Sequence, residues 1–137
     1  MTASALGLFF PHSAETDGIV VRVAVSFLAD QSEPERGRWF WAYHIRIENA
    51  GVQAVQLLSR RWLITDGRGE RHRVEGEGVV GVQPLIEPDG SYDYVSGCPL
   101  DTPNGSMEGS YRMVDADGRT FDVTIPRFLL IGPAVAL

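Results

Sequence analysis

The sequence predicts an all-β protein built as an antiparallel β-sandwich. Apolar and polar residues alternate in several runs, and turn-forming residues interrupt these runs. No segment shows the three-to-four-residue apolar spacing of an amphipathic helix, so no helices are expected to connect parallel strands. Together these observations favour a sandwich of the immunoglobulin or fibronectin type III kind, with about seven strands.

The first two predicted strands show the clearest alternation. In residues 19–27 every odd position is apolar, from Ile19 to Phe27. In residues 39–49 the apolar odd positions run from Trp39 to Ile47, and the polar residues His44, Arg46 and Glu48 lie on the opposite face. Each strand therefore has one face on a core and one face in water.

Residues 55–65 are strongly apolar but lose their alternation near Ser59-Arg60, which predicts a β-bulge or a strand that crosses between sheets. Residues 70–75 are polar on both faces and are predicted to form an edge strand. Three further strands are expected at residues 92–96, 107–114 and 120–125. Turn signals lie where the runs stop, at Asn49-Ala50-Gly51, Asp66-Gly67, Pro88-Asp89-Gly90, Pro103-Asn104-Gly105 and Asp117-Gly118.

The 137 residues are enough for one domain with its own core. We expect residues 1–18 to form a flexible N-terminal extension and residues 19–131 to form the domain. Residues 132–137 are expected to form an apolar C-terminal tail that lies against the domain or binds a neighbour.

The charge of the chain excludes several functions. The net charge is −6, and all twelve basic residues are arginine. An acidic protein is not attracted to a phosphate backbone or an anionic membrane, so no nucleic acid or membrane partner is expected. The lack of lysine excludes Schiff-base and P-loop lysine chemistry.

The single cysteine, Cys98, allows no intrachain disulfide, which fits a cytoplasmic protein. The first residues lack the basic segment of a signal peptide. No apolar run approaches the roughly 20 residues that a membrane-spanning helix needs. A cytoplasmic location is therefore expected.

Residues 76–81 read GEGVVG and have the G-x-G-x-x-G spacing of a dinucleotide-binding turn. That turn works only between a buried strand and the start of a helix, where helix amides meet the pyrophosphate. Here the polar residues 71–75 precede the motif, and Pro84 and Pro88 follow it. The sequence therefore argues against a Rossmann site.

Two interpretations of the glycine motif remain. The glycines either allow a tight turn between strands, or the loop amides bind phosphate. The second interpretation is favoured by five arginines, against two acidic residues, between positions 60 and 73. The candidate ligand-binding residues are Gly76, Glu77, Gly78, Val79, Val80, Gly81, Gln83, Arg60, Arg61 and Arg73.

No catalytic or metal-binding spacing is evident. The three histidines, His12, His44 and His72, lie far apart in sequence, and Cys98 has no neighbouring base. Asp115-Ala116-Asp117-Gly118 is better explained as a hairpin turn than as a calcium loop. We therefore expect no catalytic residues, no metal ligands and no cofactor, and ligand spacing does not support binding of magnesium or cobalt.

Several longer motifs are more specific than the glycine spacing. They are RRWLITDGRG at residues 60–69, VEGEGVVGVQP at 74–84, YVSG at 94–97, GSMEGSY at 105–111 and PRF at 126–128. Together they resemble the ApaG family over about residues 19–131. Asp89-Gly90 departs from that pattern, since Gly-Glu or Gly-Gln is more usual there.

The resemblance implies a fibronectin type III-like sandwich, in agreement with the alternation. It also implies a link to magnesium and cobalt tolerance, which a sandwich without a membrane span would support only indirectly, and use as a protein-interaction module. We therefore expect a non-enzymatic binding module with a protein partner, as a monomer or homodimer. The alternative is binding of a phosphorylated small ligand, such as pyrophosphate or a nucleotide with Mg²⁺, by the 76–81 loop and nearby arginines.

Overall fold

The computed structural model describes residues 9–133, which form two antiparallel sheets packed face to face. The strands are β1 (His12–Thr16), β2 (Ile19–Phe27), β3 (Trp39–Asn49), β4 (Val55–Asp66), β5 (Arg71–Glu77), β6 (Leu85–Ile86), β7 (Ser91–Leu100), β8 (Asn104–Asp115) and β9 (Thr120–Ile131). The predicted antiparallel sandwich is confirmed, with nine strands instead of about seven.

The strand order defines the edges of both sheets. The first sheet has the order β1-β2-β3-β7, and the second has the order β5-β4-β8-β9, with β6 paired to β4. β5 therefore lies at an edge, as its polar sequence predicted. The connections include two short 3-10 turns, and none of the helices within residues 9–133 is long and apolar enough to cross a membrane.

The two additional strands have different origins. β1 forms a hairpin with β2 through Asp17 and Gly18, whose φ angles of 50° and 82° are those of a type I′ turn. Part of the predicted 1–18 extension therefore belongs to the first sheet. β6 is a two-residue strand that pairs with the start of β4. Residues 1–8 and residues 134–137 of the predicted tail lie outside the described residues.

The predicted alternation of β2 and β3 is observed. The even-numbered residues of β3, such as His44 and Arg46, lie on the outer face of the first sheet, and the odd-numbered residues fill the core. The buried apolar residues on the inward faces of both strands are Ile19, Val21, Val23, Trp41, Tyr43, Ile45 and Ile47. Alternation alone was sufficient here because one face of the sheet is in water.

The two sides of the sandwich differ. On the side that we call the closed side, β1 and β2 pack against β9. The Thr124 amide donates a hydrogen bond to Thr16 Oγ1 there, with an N···O distance of 3.1 Å. On the other side, the open side, β4 and β5 face β3 and β7 across a cleft.

A β-bulge interrupts β4 at the predicted place. Leu57 and Ser59 pair with consecutive residues of β8, so Leu58 is the extra residue. The predicted loss of alternation in this strand is therefore a bulge, and β4 stays within the second sheet along its whole length.

Candidate functional site

A cleft of about 790 Å³ lies between the sheets on the open side. Its volume is within the range of about 300–1,000 Å³ that is usual for ligand pockets, which are also mostly apolar. The second sheet contributes Trp62, Ile64 and Val74 to the lining, and the first sheet contributes Trp39 and Leu100. Tyr43 and Trp62 meet edge to face across the two sheets, with ring centroids 5.4 Å apart.

The residues of β4 and β5 that line this cleft are basic at one end and acidic at the other. The directly opposite pairs are Arg60 with Gly76, Trp62 with Val74, and Ile64 with His72. Directly opposite residues lie on the same face of a sheet, so all of these positions face the cleft. Arg60 lies at one end, and His72 lies at the other with Asp66 and Glu70.

Arg60 faces the cleft because of the bulge at Leu58. Counting by two from the buried Leu57 would place Arg61 inward, but the extra residue turns Arg60 inward instead. Arg61 lies on the outer face, where its Nε is 3.1 Å from Glu75 Oε1. The side chains of these two adjacent arginines therefore lie on opposite faces of the second sheet.

Residues 79–82 form a tight turn at the end of the glycine motif. Val79 and Val82 exchange two backbone hydrogen bonds, with N···O distances of 2.8 and 3.0 Å. Between them, Val80 and Gly81 have φ angles of 48° and 78°, as in a type I′ turn. The Gly78 amide donates to the Leu58 carbonyl at 2.9 Å. The amides of Gly78, Val79 and Val82 therefore donate hydrogen bonds to backbone carbonyl groups.

The Arg60 side chain holds the loop of residues 76–81 through the carbonyl groups of that loop. Its Nη1 donates to the carbonyl oxygens of Glu77 and Gly78, at 3.0 and 2.9 Å. A Cβ at Gly76 would lie 2.9 Å from the guanidinium nitrogens, and a Cβ at Gly78 would lie 2.3 Å from the Val82 oxygen. These contacts support the interpretation in which the glycines allow close approach and a tight turn.

The structure brings together only some of the predicted ligand-binding residues. Arg60 lies beside the loop of residues 76–81, and Gln83 Nε2 donates to the Leu58 carbonyl at 2.9 Å. Arg61 and Arg73 lie on the opposite face of the second sheet, because Arg61 pairs with Glu75 and Arg73 with Leu63. The arginine cluster that is compact in sequence is thus divided between two faces.

A hollow of about 310 Å³ lies beside the tip of the loop, next to Arg60, Gly81 and Ser96. Val80 and Val95 also line it, and they are 64% and 60% exposed. A positive φ is rare for a β-branched residue such as Val80 and costs free energy. Strain of this kind often marks a functional contact, and here it presents an apolar side chain to the surface.

The acidic end of the cleft contains Asp66, Glu70 and His72. Their potential ligand atoms all lie within 4.8 Å of one another. Burial acts to raise the pKa of the Asp66 carboxyl, but the backbone amides of Glu70 and Arg68 and the Arg68 charge outweigh it, so the pKa lies below its usual value. This cluster is not among the site residues predicted from the sequence, although the hairpin signal Asp66-Gly67 and the two-residue period of an extended chain place these residues together.

The buried hydroxyl and thiol groups near the cleft are unreactive at neutral pH. Tyr94 and Tyr111 share a buried hydrogen bond between their hydroxyl groups, and burial raises the pKa of both. Cys98 is 2% exposed, and burial raises the pKa of its thiol to about 11. A protonated, buried thiol is a poor nucleophile, so Cys98 acts as a packing residue.

The fold and the cleft define a class of protein: a small antiparallel β-sandwich domain of the fibronectin type III kind, open along one side between its sheets. A family model described as the ApaG domain matches residues 29–115. The chain belongs to the ApaG family, as the longer motifs predicted.

Similarity to individual proteins supports this assignment. The chain is 51% identical over 123 residues to Protein ApaG of Maricaulis maris, covering 90% of this chain and 95% of the relative. It is also 51% identical over 124 residues to Protein ApaG of a Methylobacterium species, covering 90% and 95%. The crystal structure of a Bordetella pertussis protein described as ApaA is similar with a TM-score of 0.82 and 43% identity, covering 85% of this chain and 95% of that one.

Proposed function

We propose that the chain is a non-enzymatic binding module that holds an extended segment of a protein partner on its open side. The observation that carries this proposal is the apolar cleft between the sheets, bordered by the two edge strands β5 and β7. An apolar side chain of the partner would enter the cleft beside Val74 and Trp39. The partner's backbone would pair with an edge strand, which is a common mode of peptide recognition.

The edge of β7 suits this role better than the edge of β5. β5 bears the charged side chains of Arg71, Arg73 and Glu75 on its outer face, and charges of this kind discourage pairing with another chain. β7 instead presents the exposed Val95 close to the strained and exposed Val80. We therefore place the partner's backbone along β7 and its anchoring side chain in the cleft.

The non-enzymatic part of the proposal is supported by the state of the reactive groups. The Cys98 thiol is buried and protonated, and the hydroxyls of Tyr94 and Tyr111 bond to each other. His44 is engaged with Asp93 on the outer face of the first sheet, with Nε2 and Oδ1 2.8 Å apart. The described residues therefore bring no activated nucleophile and base together.

The cellular setting follows from the same proposal. A single buried cysteine suits a cytoplasmic location, which we retain as part of the proposal. Any contribution to magnesium and cobalt tolerance would be indirect, through the bound partner. A monomer leaves the open side free for that partner, and a homodimer through another face would do the same.

Selection from a peptide library tests the proposal and requires no identified partner. Random peptides of extended conformation are selected on the wild-type protein, and their affinities are measured by fluorescence anisotropy. Val74→Arg places a charge in the cleft and is expected to weaken binding at least about tenfold. Leu129→Arg is the matched control, since Leu129 is 47% exposed on β9 and Val74 is 41% exposed.

The expected result is saturable binding that Val74→Arg weakens and Leu129→Arg leaves unchanged. Amides of β7 should also become protected from hydrogen exchange when the peptide binds. Equal binding by both variants would contradict the proposed surface. Failure to select any peptide would count against peptide recognition as the function.

A second candidate function is binding of a phosphorylated small ligand, pyrophosphate or a nucleotide. The observation that favours it is the position of Arg60 beside the hollow at the loop tip, since a guanidinium group binds phosphate well. Thermal unfolding is measured with a panel of such ligands, with and without Mg²⁺. A ligand at about 100 times its Kd would add about 2.7 kcal/mol of stability, and an unchanged melting temperature at millimolar ligand would exclude this function.

A further inference from the structure

We propose that Asp66, Glu70 and His72 form a binding site for a divalent transition-metal ion of the Zn²⁺ and Mn²⁺ class. This goes beyond the proposed binding of a protein segment, and it is tested in the absence of any peptide. It also departs from the sequence-based expectation of no metal ligand. The three residues offer two carboxylates and one imidazole, and their ligand atoms lie within 4.8 Å of one another.

Asp66 carries the strongest observation. Its side chain is 2% exposed. Its Oδ2 atom is buried, and among the described residues it accepts no hydrogen bond. A buried carboxylate oxygen without a donor is costly, and coordination of a cation compensates this cost. Across the cluster, His72 Nε2 lies 3.8 Å from this oxygen.

The other carboxylate oxygen of Asp66 is fixed in place. Oδ1 accepts the backbone amides of Arg68 and Glu70, at 2.9 and 3.0 Å. These two bonds fix the orientation of the carboxylate, in which Oδ2 lies on the side of His72. Such support from neighbouring groups is typical of residues that hold a metal ion.

The local fold brings the three residues together. The Asp66 amide donates to the Glu70 carbonyl at 2.9 Å and closes the turn between β4 and β5. Glu70 lies immediately before β5, and His72 follows two residues later, so the two side chains leave the extended chain on the same side. Glu70 and His72 are exposed, and their side chains are able to close on an ion held by Asp66.

The charge of the site remains negative without an ion. The Arg68 guanidinium group, which follows Asp66 in the turn, is engaged with Asp101, with Nη2 and Oδ2 2.6 Å apart. The two carboxylates of the site therefore face one imidazole. A divalent cation balances them, and its preferred ligands include both carboxylate oxygen and imidazole nitrogen.

The surface pair His44 and Asp93 shows how an ordinary histidine–aspartate contact differs. His44 Nε2 lies 2.8 Å from Asp93 Oδ1, and Arg46 Nη1 donates to Asp93 Oδ2 at 3.0 Å. Both oxygens of that carboxylate have partners, so it needs no ion. At the cleft, the longer separation of 3.8 Å between Asp66 and His72 leaves room for one.

The choice of metal follows from the ligand types. Mg²⁺ prefers an all-oxygen environment and keeps its water molecules, whereas imidazole favours first-row transition metals and zinc. Three protein ligands leave at least one coordination position open toward the cleft. We therefore expect Zn²⁺ to bind more tightly than Mn²⁺, and Mg²⁺ to compete with neither.

The experiment uses Mn²⁺ as a paramagnetic probe of the full chain. Addition of Mn²⁺ should broaden the backbone NMR signals of residues 66–72 first, with saturation at one equivalent. Zn²⁺ should restore these signals by displacement, and Mg²⁺ in about tenfold excess should leave the broadening unchanged. Calorimetry with Zn²⁺ gives the affinity and stoichiometry.

Three variants and one control complete the test. His72→Ala and Glu70→Gln alter exposed side chains, and Asp66→Asn keeps the oxygen that accepts the turn amides. Each should weaken Zn²⁺ binding by at least the roughly 10- to 100-fold that follows from loss of a supporting group. His44→Ala should bind Zn²⁺ as the wild type does. Broadening spread over all acidic residues, or equal losses in His72→Ala and His44→Ala, would overturn the proposal.

Discussion

The closed and open sides of the sandwich use the same architecture for different purposes. On the closed side, β9 turns only apolar side chains inward, and Val123, Ile125 and Leu130 are no more than 1% exposed. On the open side, the inward positions of β4 and β5 include Arg60, His72 and other polar residues. One side is filled as a core, and the other is left as a cleft with a charge at each end.

This difference shows where the sequence departs from simple alternation. A charged or polar residue at an inward position cannot be buried without a partner, so the sheets separate there and water or a ligand enters. Arg60 and His72 occupy such positions. The polar residues at inward positions of β4 and β5 therefore mark the cleft, whereas the regular alternation of β2 and β3 marks only the core.

The largest expected effect comes from the same substitution on the two sides. Ile125→Ala removes a fully buried side chain on the closed side and should destabilise the protein by about 3–4 kcal/mol. Ile64→Ala acts at the cleft, where the side chain is only partly buried, and should cost about 1–2 kcal/mol. Urea denaturation of both variants gives the two values, and equal losses would show that the open side is as well packed as the closed side.

A smaller effect is expected from the arginine that the bulge turns inward. Arg60→Met removes the hydrogen bonds to the carbonyls of Glu77 and Gly78 and should cost about 1–3 kcal/mol. Hydrogen exchange at Gly78 and Val79 should accelerate. Arg61→Met is the matched control, because Arg61 is 62% exposed in a surface ion pair worth at most about 1 kcal/mol. The reverse order of losses would contradict the assignment of the two faces.

The strained valine on the open side should respond in the opposite direction. Val80→Asn gives the turn the Asn-Gly pair that type I′ geometry favours, and should stabilise the protein by about 1 kcal/mol. The same variant should weaken the binding of selected peptides, since it removes an exposed apolar contact. Val52→Asn serves as the control, because Val52 is 93% exposed and has no positive φ. If Val52→Asn also stabilised the protein, relief of backbone strain would not be the cause of the effect at Val80.

The smallest effect is expected at the acidic end of the cleft. His72 is 57% exposed, and in metal-free buffer His72→Ala should change the free energy of unfolding by less than about 0.5 kcal/mol. Thermal unfolding in the presence of a chelator measures this value. A larger loss would show that His72 supports the fold rather than a bound ion.

Local sequence patterns were enough to predict much of the fold. The alternation in β2 and β3, the polar edge strand β5 and the bulge in β4 depend on neighbours within one strand, so they are visible in the sequence. β1 was missed because its residues are mostly polar, although the Asp17-Gly18 turn that defines it is a recognised hairpin signal.

The candidate site was harder to predict, because it depends on which face each residue occupies. Arg60, Arg61 and Arg73 are close in sequence, yet the bulge and the pleat place them on two faces of one sheet. Asp66 and His72 are separated by six positions, yet the turn brings them together. A motif read along the chain does not contain this information, which comes from strand pairing.

The bulge at Leu58 has one more consequence. As the extra residue, Leu58 directs its carbonyl to the glycine loop, where it receives the Gly78 amide and Gln83 Nε2, each at 2.9 Å. Deleting Leu58 would leave every β4 residue opposite its present β8 partner. A chain without Leu58 would keep the same sandwich but lose the carbonyl that holds the glycine loop. The loop therefore depends on one extra residue in β4.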